Sequence, residues 1–146
     1  MSLLEIKGVS KRFGGLAALT DVSYSVNKGE ILGLIGPNGA GKTTLFNAVN
    51  GFYPPTKGEV FFKGQKISHL KPHQICKLGI GRTFQVVRPL QRMTVLDNVI
   101  ASAFLWAKDK AGAEKIALEA IHFTGLYETR YLVSKGLPLG KRKKLE

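Results

Sequence analysis

The amino-acid sequence predicts an α/β fold with a helical insertion. Two short, largely apolar runs, Glu30–Ile35 and Ile80–Gln85, have the composition of strands covered on both faces of a parallel sheet. A glycine-rich segment follows the first run directly, and a helix-forming segment follows the glycines. Amphipathic helices dominate from residue 94 onwards. This order of strands, one strand–loop–helix unit and further helices is typical of α/β domains.

The other elements of the first half follow from apolar alternation and from turn residues. Alternating apolar positions predict strands, whereas glycine and proline predict the breaks between them. Gly14 and Gly15 predict the turn between the first two strands, and Gly51 closes the helix after the glycine-rich segment. In chain order, the predicted elements are strands Leu3–Lys7 and Leu19–Val26, a helix Lys42–Asn50, a strand Glu59–Lys63 that turns at Gly64, and a helix His69–Leu78 with Pro72 in its first turn.

Two helices are predicted in the second half. Thr94 and Asp97 have the spacing of a capping box, with aspartate in place of the usual glutamate or glutamine. The apolar residues of the first helix lie on one face: Leu96, Val99, Ile100, Ala103, Phe104 and Ala107. The second helix, Ala113–Thr124, ends before Gly125. We expect these apolar faces to form a core rather than a ligand site.

Composition and charge restrict the function classes. No stretch approaches the roughly 20 apolar residues that span a bilayer, and the start of the chain has no signal-peptide pattern. The single cysteine, Cys76, cannot form an internal disulfide, so we expect a cytoplasmic protein. The 22 basic and 10 acidic residues give a net charge of +12. Three explanations fit this charge: a solvated basic surface, a surface for nucleic acid, anionic lipid or phosphate, or a longer parent chain that carries the missing acidic residues. We favour the last.

The glycine-rich segment fits the phosphate-binding pattern G-x-x-x-x-G-K-[ST] at every fixed position. A polyphosphate needs several backbone N–H donors that converge, and glycines permit the positive φ angles and close approach that such wrapping requires. A helix that starts near Lys42 adds the positive end of its dipole. A simple glycine turn is the alternative, but the position between a predicted strand and a helix favours phosphate binding. The predicted phosphate-binding residues are Gly36, Pro37, Asn38, Gly39, Ala40, Gly41, Lys42, Thr43 and Thr44.

Several further motifs resemble the family of ABC-transporter ATPases. They are Val9–Gly15, Leu19–Val26, Lys28–Leu45, Gly58–Val60 and Gly81–Gln85, and the resemblance extends over essentially the whole chain. Arg82–Gln85 followed by Met93–Val99 is most similar to the ATP-binding subunits of branched-chain amino-acid importers. The assignment to the family rests on several motifs that follow one another along the chain. The assignment to the importers rests on general similarity of Arg82–Gln85 and Met93–Val99.

The resemblance implies roles for single residues around the phosphate loop. Lys42 would reach the β and γ phosphates and act in catalysis, and Thr43 would bind Mg²⁺. Phe13 stands where the family places an aromatic ring that stacks on adenine, although an exposed or core Phe is the commoner meaning of such a residue. Gln85 matches the family's glutamine that contacts Mg²⁺ and the attacking water. Without the resemblance, a single glutamine after a strand would be interpreted as a surface residue. Val86–Met93 would face the membrane subunits.

The segment Leu137-Pro138-Leu139-Gly140-Lys141 lies where the family has its Leu-Ser-Gly-Gly-Gln signature. In the family the signature contacts the γ-phosphate held by the opposite subunit. Pro138 replaces the serine and Leu139 the first glycine, so the hydroxyl is lost and only backbone donors remain. The basic run that follows, Lys141–Lys144, is interpreted as a solvated helix start rather than as a nucleic-acid patch.

The resemblance implies a fold and its subdivision. The expected fold is a P-loop NTPase (RecA-like) core with an N-terminal antiparallel β subdomain and a helical subdomain, truncated at its C-terminus. Residues 1–85 would form the β subdomain and the core, 86–136 the helical subdomain, and 137–146 the signature with the start of its helix. The family's Mg²⁺-binding aspartate, catalytic glutamate and switch histidine would lie beyond Glu146. We therefore expect negligible hydrolysis by these 146 residues and a marginal, aggregation-prone fold.

The resemblance also implies function, cofactors and partners. The intact protein would be the ATP-binding subunit of an importer, with ATP and Mg²⁺ as cofactors and branched-chain amino acids as the transported solutes. Its partners would be a second ATPase subunit and transmembrane permease subunits that hold it at the inner face of the cell membrane. Two alternatives stay open: a non-transport ABC ATPase that acts on nucleic acid or ribosomes, which the basic charge suits, and a regulatory nucleotide-binding module without hydrolysis.

Overall fold

A four-stranded antiparallel sheet organises the N-terminal part of the chain. The structure is a computed structural model that describes residues 2–84, 86 and 89–146. The strands are β1 (Ser2–Phe13), β2 (Leu16–Asn27), β3 (Lys57–Phe62) and β4 (Gln65–Lys66), and their order in the sheet is β2-β1-β3-β4. The sheet confirms the predicted N-terminal antiparallel β subdomain.

The first two strands form one long hairpin whose turn lies at Gly14 and Gly15, as predicted. Both strands are longer than the sequence pattern indicated, because polar residues beyond the apolar alternation continue the pairing. Phe13 pairs with Leu16 at the turn, and Ser2 pairs with Asn27 at the other end. The register shifts at four places along this pair, which adds local twist. The hairpin therefore extends well past the core that it helps to build.

Two helices pack on this sheet within the unit Met1–Gly81. Helix α1 (Lys42–Val49) has Asn50 as its C-cap, and Gly51 follows with a φ of +73°. Helix α2 (Pro72–Lys77) has Pro72 in its first turn, as predicted, but it begins at Pro72 rather than at the predicted His69. One buried cluster joins strands and helices, and its members are Ile6, Val9, Leu19, Leu45, Val49, Val60, Phe62, Ile67 and Ile75. The core therefore fixes α1 against the sheet.

The two predicted parallel strands are wrong for this structure. Glu30–Ile35 has no strand assignment, and neither has the described part of Ile80–Gln85, residues 80–84. Ile31 and Ile35 are 99% and 95% exposed. A strand requires a hydrogen-bonded neighbour, and the sheet of the described residues contains only β1 to β4. Apolar composition alone therefore does not make these segments strands.

The unit Arg82–Glu146 is helical. Its α-helices are α3 (Val95–Ala103), α4 (Lys110–Phe123) and α5 (Leu139–Leu145), and short 3₁₀ turns cover Tyr127–Thr129 and Ser134–Gly136. Their buried residues form a second core of Val95, Leu96, Ala103, Ala113, Ala117, Ile121, Leu126 and Leu137. Within the described ranges, no helix has the length and apolar character needed to cross a membrane. The functional subdivision at residues 85 and 136 stays a prediction.

Side-chain caps fix the starts of α3 and α4. Thr94 Oγ1 accepts a hydrogen bond from the Asp97 amide at 3.0 Å, which confirms the predicted cap. Asp109 Oδ1 accepts one from the Gly112 amide at 2.7 Å, so α4 begins three residues before the predicted Ala113. Helix α3 ends at Ala103 rather than at Ala107, because residues 104–106 form a turn.

Replacement of the α4 cap should measure its contribution to the helical unit. Asp109→Ala removes the acceptor for the Gly112 amide and should lower the free energy of unfolding by about 1 kcal/mol. Asp109→Asn keeps a capping oxygen and should cost only a few tenths of a kcal/mol. Urea unfolding followed by circular dichroism would compare the two variants with the parent chain. Equal losses for the two variants would contradict the capping role.

Candidate phosphate-binding site

The loop of residues 36–41 adopts the tight path that the glycine spacing predicts. Gly39 and Gly41 have φ angles of +85° and +86°, in the region that favours glycine. Gly36 does not have a positive φ, so the sequence-based expectation is wrong for this residue. A Cβ at Gly36 would instead meet Ala40 Cβ at 3.4 Å. Backbone conformation thus favours glycine at positions 39 and 41, whereas a Cβ at Gly36 would only come into contact with Ala40.

Gly41 holds the end of this loop against strand β2. A Cβ at this position would lie 2.5 Å from the Ala18 carbonyl oxygen and 2.9 Å from Leu19 Cδ2. Both distances are shorter than real contacts, so any larger residue would displace either the loop or the strand. Gly41 also precedes α1 directly, and its carbonyl accepts the first hydrogen bond of the helix, from the Leu45 amide at 2.9 Å. The position of the helix start therefore depends on this close approach.

The N-terminus of α1 presents free donors at the end of the loop. The amides of Lys42, Thr43 and Thr44 precede the first helical hydrogen bond, and no side chain caps them. The first turn contains no acidic residue. Such an end combines N–H groups that point along the axis with the positive end of the helix dipole. This arrangement favours an anion.

The Lys42 ammonium lies over the same loop. Its Nζ donates hydrogen bonds to the Gly36 carbonyl at 2.6 Å and to the Pro37 carbonyl at 2.7 Å. These bonds connect the first turn of α1 to the start of the loop and bring a full positive charge beside the backbone donors. Loop, helix end and ammonium together have the chemistry that a polyphosphate requires.

Phe13 lies at the hairpin turn of the same unit. Its ring is 42% exposed and makes an edge-to-face contact with Tyr53, with 5.3 Å between the ring centroids. Lys11 Nζ lies 5.2 Å from the Phe13 centroid. Phe13 pairs with Leu16, only two residues before Ala18, which is about 7 Å along a strand. Tyr53 could not be predicted as a neighbour of Phe13, because 40 residues separate the two and no motif contains Tyr53.

The predicted residues around Gln85 are only partly described. Gln85 itself, Val87 and Arg88 lie outside the described residues. Farther along, the Leu90 backbone is held by Asn98 of α3, whose Oδ1 accepts from the Leu90 amide at 2.7 Å. Ser134 Oγ donates to the Leu90 carbonyl at 3.0 Å. Neither polar residue could be predicted from the sequence, because Asn98 is embedded in the apolar pattern of α3 and Ser134 belongs to no motif.

The signature-like segment starts α5 in the helical unit. Leu137 is buried, Pro138 is the residue before the helix, and Leu139 is 59% exposed. Gly140 and Lys141 are the second and third residues of the helix, and the last turn carries Arg142, Lys143 and Lys144. Cations are favourable at a helix C-terminus.

Nowhere in residues 2–84, 86 and 89–146 do three or more His, Cys, Asp or Glu side chains form a group that could hold a metal.

The sheet, the glycine loop before α1 and the helical unit define a domain of the P-loop nucleoside triphosphatase class. Residues 19–146 match the model of the ABC transporter family. The chain therefore belongs to the ABC transporter family, as the sequence motifs predicted.

Comparison with known proteins supports the same assignment. The chain is 51% identical to the probable branched-chain amino acid transport ATP-binding protein LivG of Archaeoglobus fulgidus. The alignment extends over 100 residues and covers 68% of this chain and 39% of that protein. It is 46% identical, with the same coverage, to the high-affinity branched-chain amino acid transport ATP-binding protein LivG of Escherichia coli K12. The matched regions thus span about two fifths of these relatives.

A solved structure shows the same fold. The ATP-binding cassette MJ1267 of an ABC transporter superposes with a TM-score of 0.85 and 35% identity, over 100% of this chain and 63% of that chain. The ATP-binding cassette MJ0796, described as a dimer in a post-hydrolysis state bound to ADP and Pi, superposes with a TM-score of 0.83 and 27% identity, over 97% of this chain and 66% of that chain. The predicted α/β P-loop class is confirmed.

Substitution of the loop glycines should separate packing from backbone strain. Gly41→Ala and Gly39→Ala both place alanine at a positive φ, which costs about 1–2 kcal/mol. Only Gly41→Ala also forces a Cβ against Ala18, since nothing lies within 4 Å of a Cβ at Gly39. Gly41→Ala should therefore lower the unfolding midpoint more and shift the amide resonances of Ala18 and Leu19. Indistinguishable midpoints and unchanged β2 resonances in both variants would contradict the packing role of Gly41.

Proposed function

We propose that this chain binds the triphosphate of ATP through residues 36–44. The observation that carries the proposal is the uncapped N-terminus of α1 with the Lys42 ammonium held 2.6 Å from the Gly36 carbonyl. Membership of the ABC transporter family supports ATP as the nucleotide, because its members bind ATP. The loop amides would surround the phosphates, and Lys42 would exchange its carbonyl partners for the β and γ phosphate oxygens.

The residues of the loop also fit Mg²⁺ as the accompanying ion. Mg²⁺ takes oxygen ligands and is usually held by few protein groups together with phosphates and waters. Thr43 is exposed in the first turn of α1 and offers a hydroxyl oxygen there. Thr43 would hold the ion, and Gln85 is proposed as the second group from its motif alone. When bound, the ion neutralises phosphate charge.

Phe13 is proposed as the stacking partner of the adenine. Its partly exposed ring, the edge contact from Tyr53 and the short strand distance to Ala18 support this role. Tyr53 would limit the rotation of the Phe13 ring and so present one face to the base. A stacked base and a bound phosphate tail would then be two ends of one ligand.

For the intact protein we propose ATP-driven uptake of branched-chain amino acids. The names of the two LivG relatives support this substrate class. The protein would act as a homodimer or heterodimer of ATPase subunits, in which Leu137–Lys141 of one subunit faces the loop of the other. Permease subunits would contact the region Val86–Met93 and hold the pair at the cytoplasmic face of the membrane. The dimer reported for MJ0796 supports pairing.

Loss of the Lys42 ammonium should weaken nucleotide binding strongly. Lys42→Ala removes a charge-assisted partner of the phosphates and should reduce the affinity for a fluorescent ATP analogue at least about tenfold. Lys28 is an exposed lysine in the turn after β2, so Lys28→Ala removes the same charge and should leave the affinity within about twofold. Fluorescence anisotropy with the 146-residue chain and Mg²⁺ measures both. Equal affinities of Lys42→Ala and the parent chain would overturn the proposal.

The stacking role of Phe13 has its own test. Phe13→Ala should weaken binding of the ATP analogue by about 1–3 kcal/mol, because the stacking contact is lost. Phe13→Tyr should retain most of the affinity. Phe123→Ala is the matched control, because Phe123 is a 93% exposed phenylalanine at the end of α4. Competition with inorganic triphosphate, which has no base, should not distinguish Phe13→Ala from the parent chain. A Phe13→Ala variant with parental affinity would rule out stacking at this residue.

A further inference from the structure

A cavity of about 190 Å³ opens in the sheet of the N-terminal unit, where β1, β2 and the start of β3 meet. Its wall consists of Ser10, Arg12, Ala17, Leu19, Thr20, Thr56 and Lys57. The wall contains no residue of the phosphate loop 36–44, although Arg12 precedes Phe13 in β1 and Leu19 borders Gly41. Its size is below the roughly 300–1,000 Å³ of pockets for drug-sized ligands. The cavity therefore suits a small ligand.

The two charged residues of the wall are both cations. Arg12 and Lys57 are exposed, and neither takes part in the salt bridges of the described residues, which join Lys7 to Glu5 and Lys66 to Glu59. The wall contains no acidic side chain. Two basic groups at one concave place repel each other unless an anion lies between them. The charge of the wall therefore favours a negative ligand.

Two hydroxyl groups of the wall accept hydrogen bonds from backbone amides. Ser10 Oγ accepts from the Asp21 amide at 2.9 Å, and Thr56 Oγ1 accepts from the Arg12 amide at 3.1 Å. A hydroxyl has one hydrogen to donate, and a backbone amide that already occupies a lone pair leaves this hydrogen for another partner. The Thr56 amide also donates to the Ser10 carbonyl at 2.8 Å, which ties the two residues together. Backbone hydrogen bonds therefore hold the Ser10 and Thr56 hydroxyl groups in place, and each hydroxyl hydrogen can be donated to a ligand.

We propose that this cavity binds a small oxyanion of the phosphate class. Arg12 and Lys57 supply the charge, and the hydroxyls of Ser10, Thr20 and Thr56 supply neutral donors. The guanidinium of Arg12 matches two oxygens of a phosphate group at once, which a lysine does not. This proposal does not depend on nucleotide binding at residues 36–44, so either one can be wrong while the other holds.

A phosphate titration of the ¹⁵N-labelled 146-residue chain tests the site. The probe is inorganic phosphate at constant ionic strength, with chloride as the exchanged anion, because nonspecific screening is then unchanged. Saturable shifts are expected at the amides of Thr20, Thr56 and Lys57. In Arg12→Gln/Lys57→Gln the apparent affinity at these amides should fall at least tenfold. Thr20→Val keeps the charge and the backbone pairing and should weaken binding several-fold.

Matched controls keep the test independent of charge and of the ATP site. Lys28→Gln/Lys77→Gln removes two exposed positive charges elsewhere in the unit and should leave the phosphate shifts unchanged. Glycerol 3-phosphate forms a second arm: tighter binding than inorganic phosphate assigns the site to the phosphate end of a larger molecule, and equal or weaker binding to the free ion. Shifts confined to residues 36–44, or lost equally in both double variants, would overturn the proposal.

Discussion

The close approach of Gly41 to strand β2 decides where the candidate site can form. The loop reaches α1 only by passing within van der Waals distance of the Ala18 carbonyl, and Leu19 on the same strand belongs to the core. Because α1 buries Leu45 and Val49 in that core, the helix axis and the loop are positioned together. The direction of the helix dipole and the place of the Lys42 ammonium both follow from this contact. A short stretch of β2 thus supports the chemistry of the loop without touching a ligand.

The hairpin of β1 and β2 serves more than one purpose. At its turn it presents the Phe13 ring with Tyr53 against its edge, and a few residues away it supports the loop. The residues next to its turn form most of the cavity that carries Arg12. Long strands with several register shifts make this possible, because each shift changes which side chains share a face. The extension of the hairpin beyond its core therefore carries residues of both proposed sites.

The sequence was informative where the chemistry is local. The loop glycines, the start of α1, the Thr94 cap and the proline of α2 depend on neighbouring residues, and each could be predicted from them. Tyr53, Asn98 and the wall of the cavity depend on pairings between distant residues, so a linear pattern did not reveal them. Glu30–Ile35 was predicted as a strand from composition, but pairing decides strand formation. At Gly36 the structure shows no positive φ, so the motif did not predict the backbone conformation there.

The exposure of Ile31 and Ile35 has a thermodynamic consequence for this region. Burial of one isoleucine side chain stabilises a fold by about 1.5–3 kcal/mol, and these two contribute almost none of it here. Residues 31–35 are also outside every strand pair of the described sheet. This stretch therefore has few contacts that would slow local opening, and its amide hydrogens should exchange faster than those of β1 and β2. The segment that leads into the phosphate loop thus contributes little rigidity, and the loop takes its order from α1 and β2.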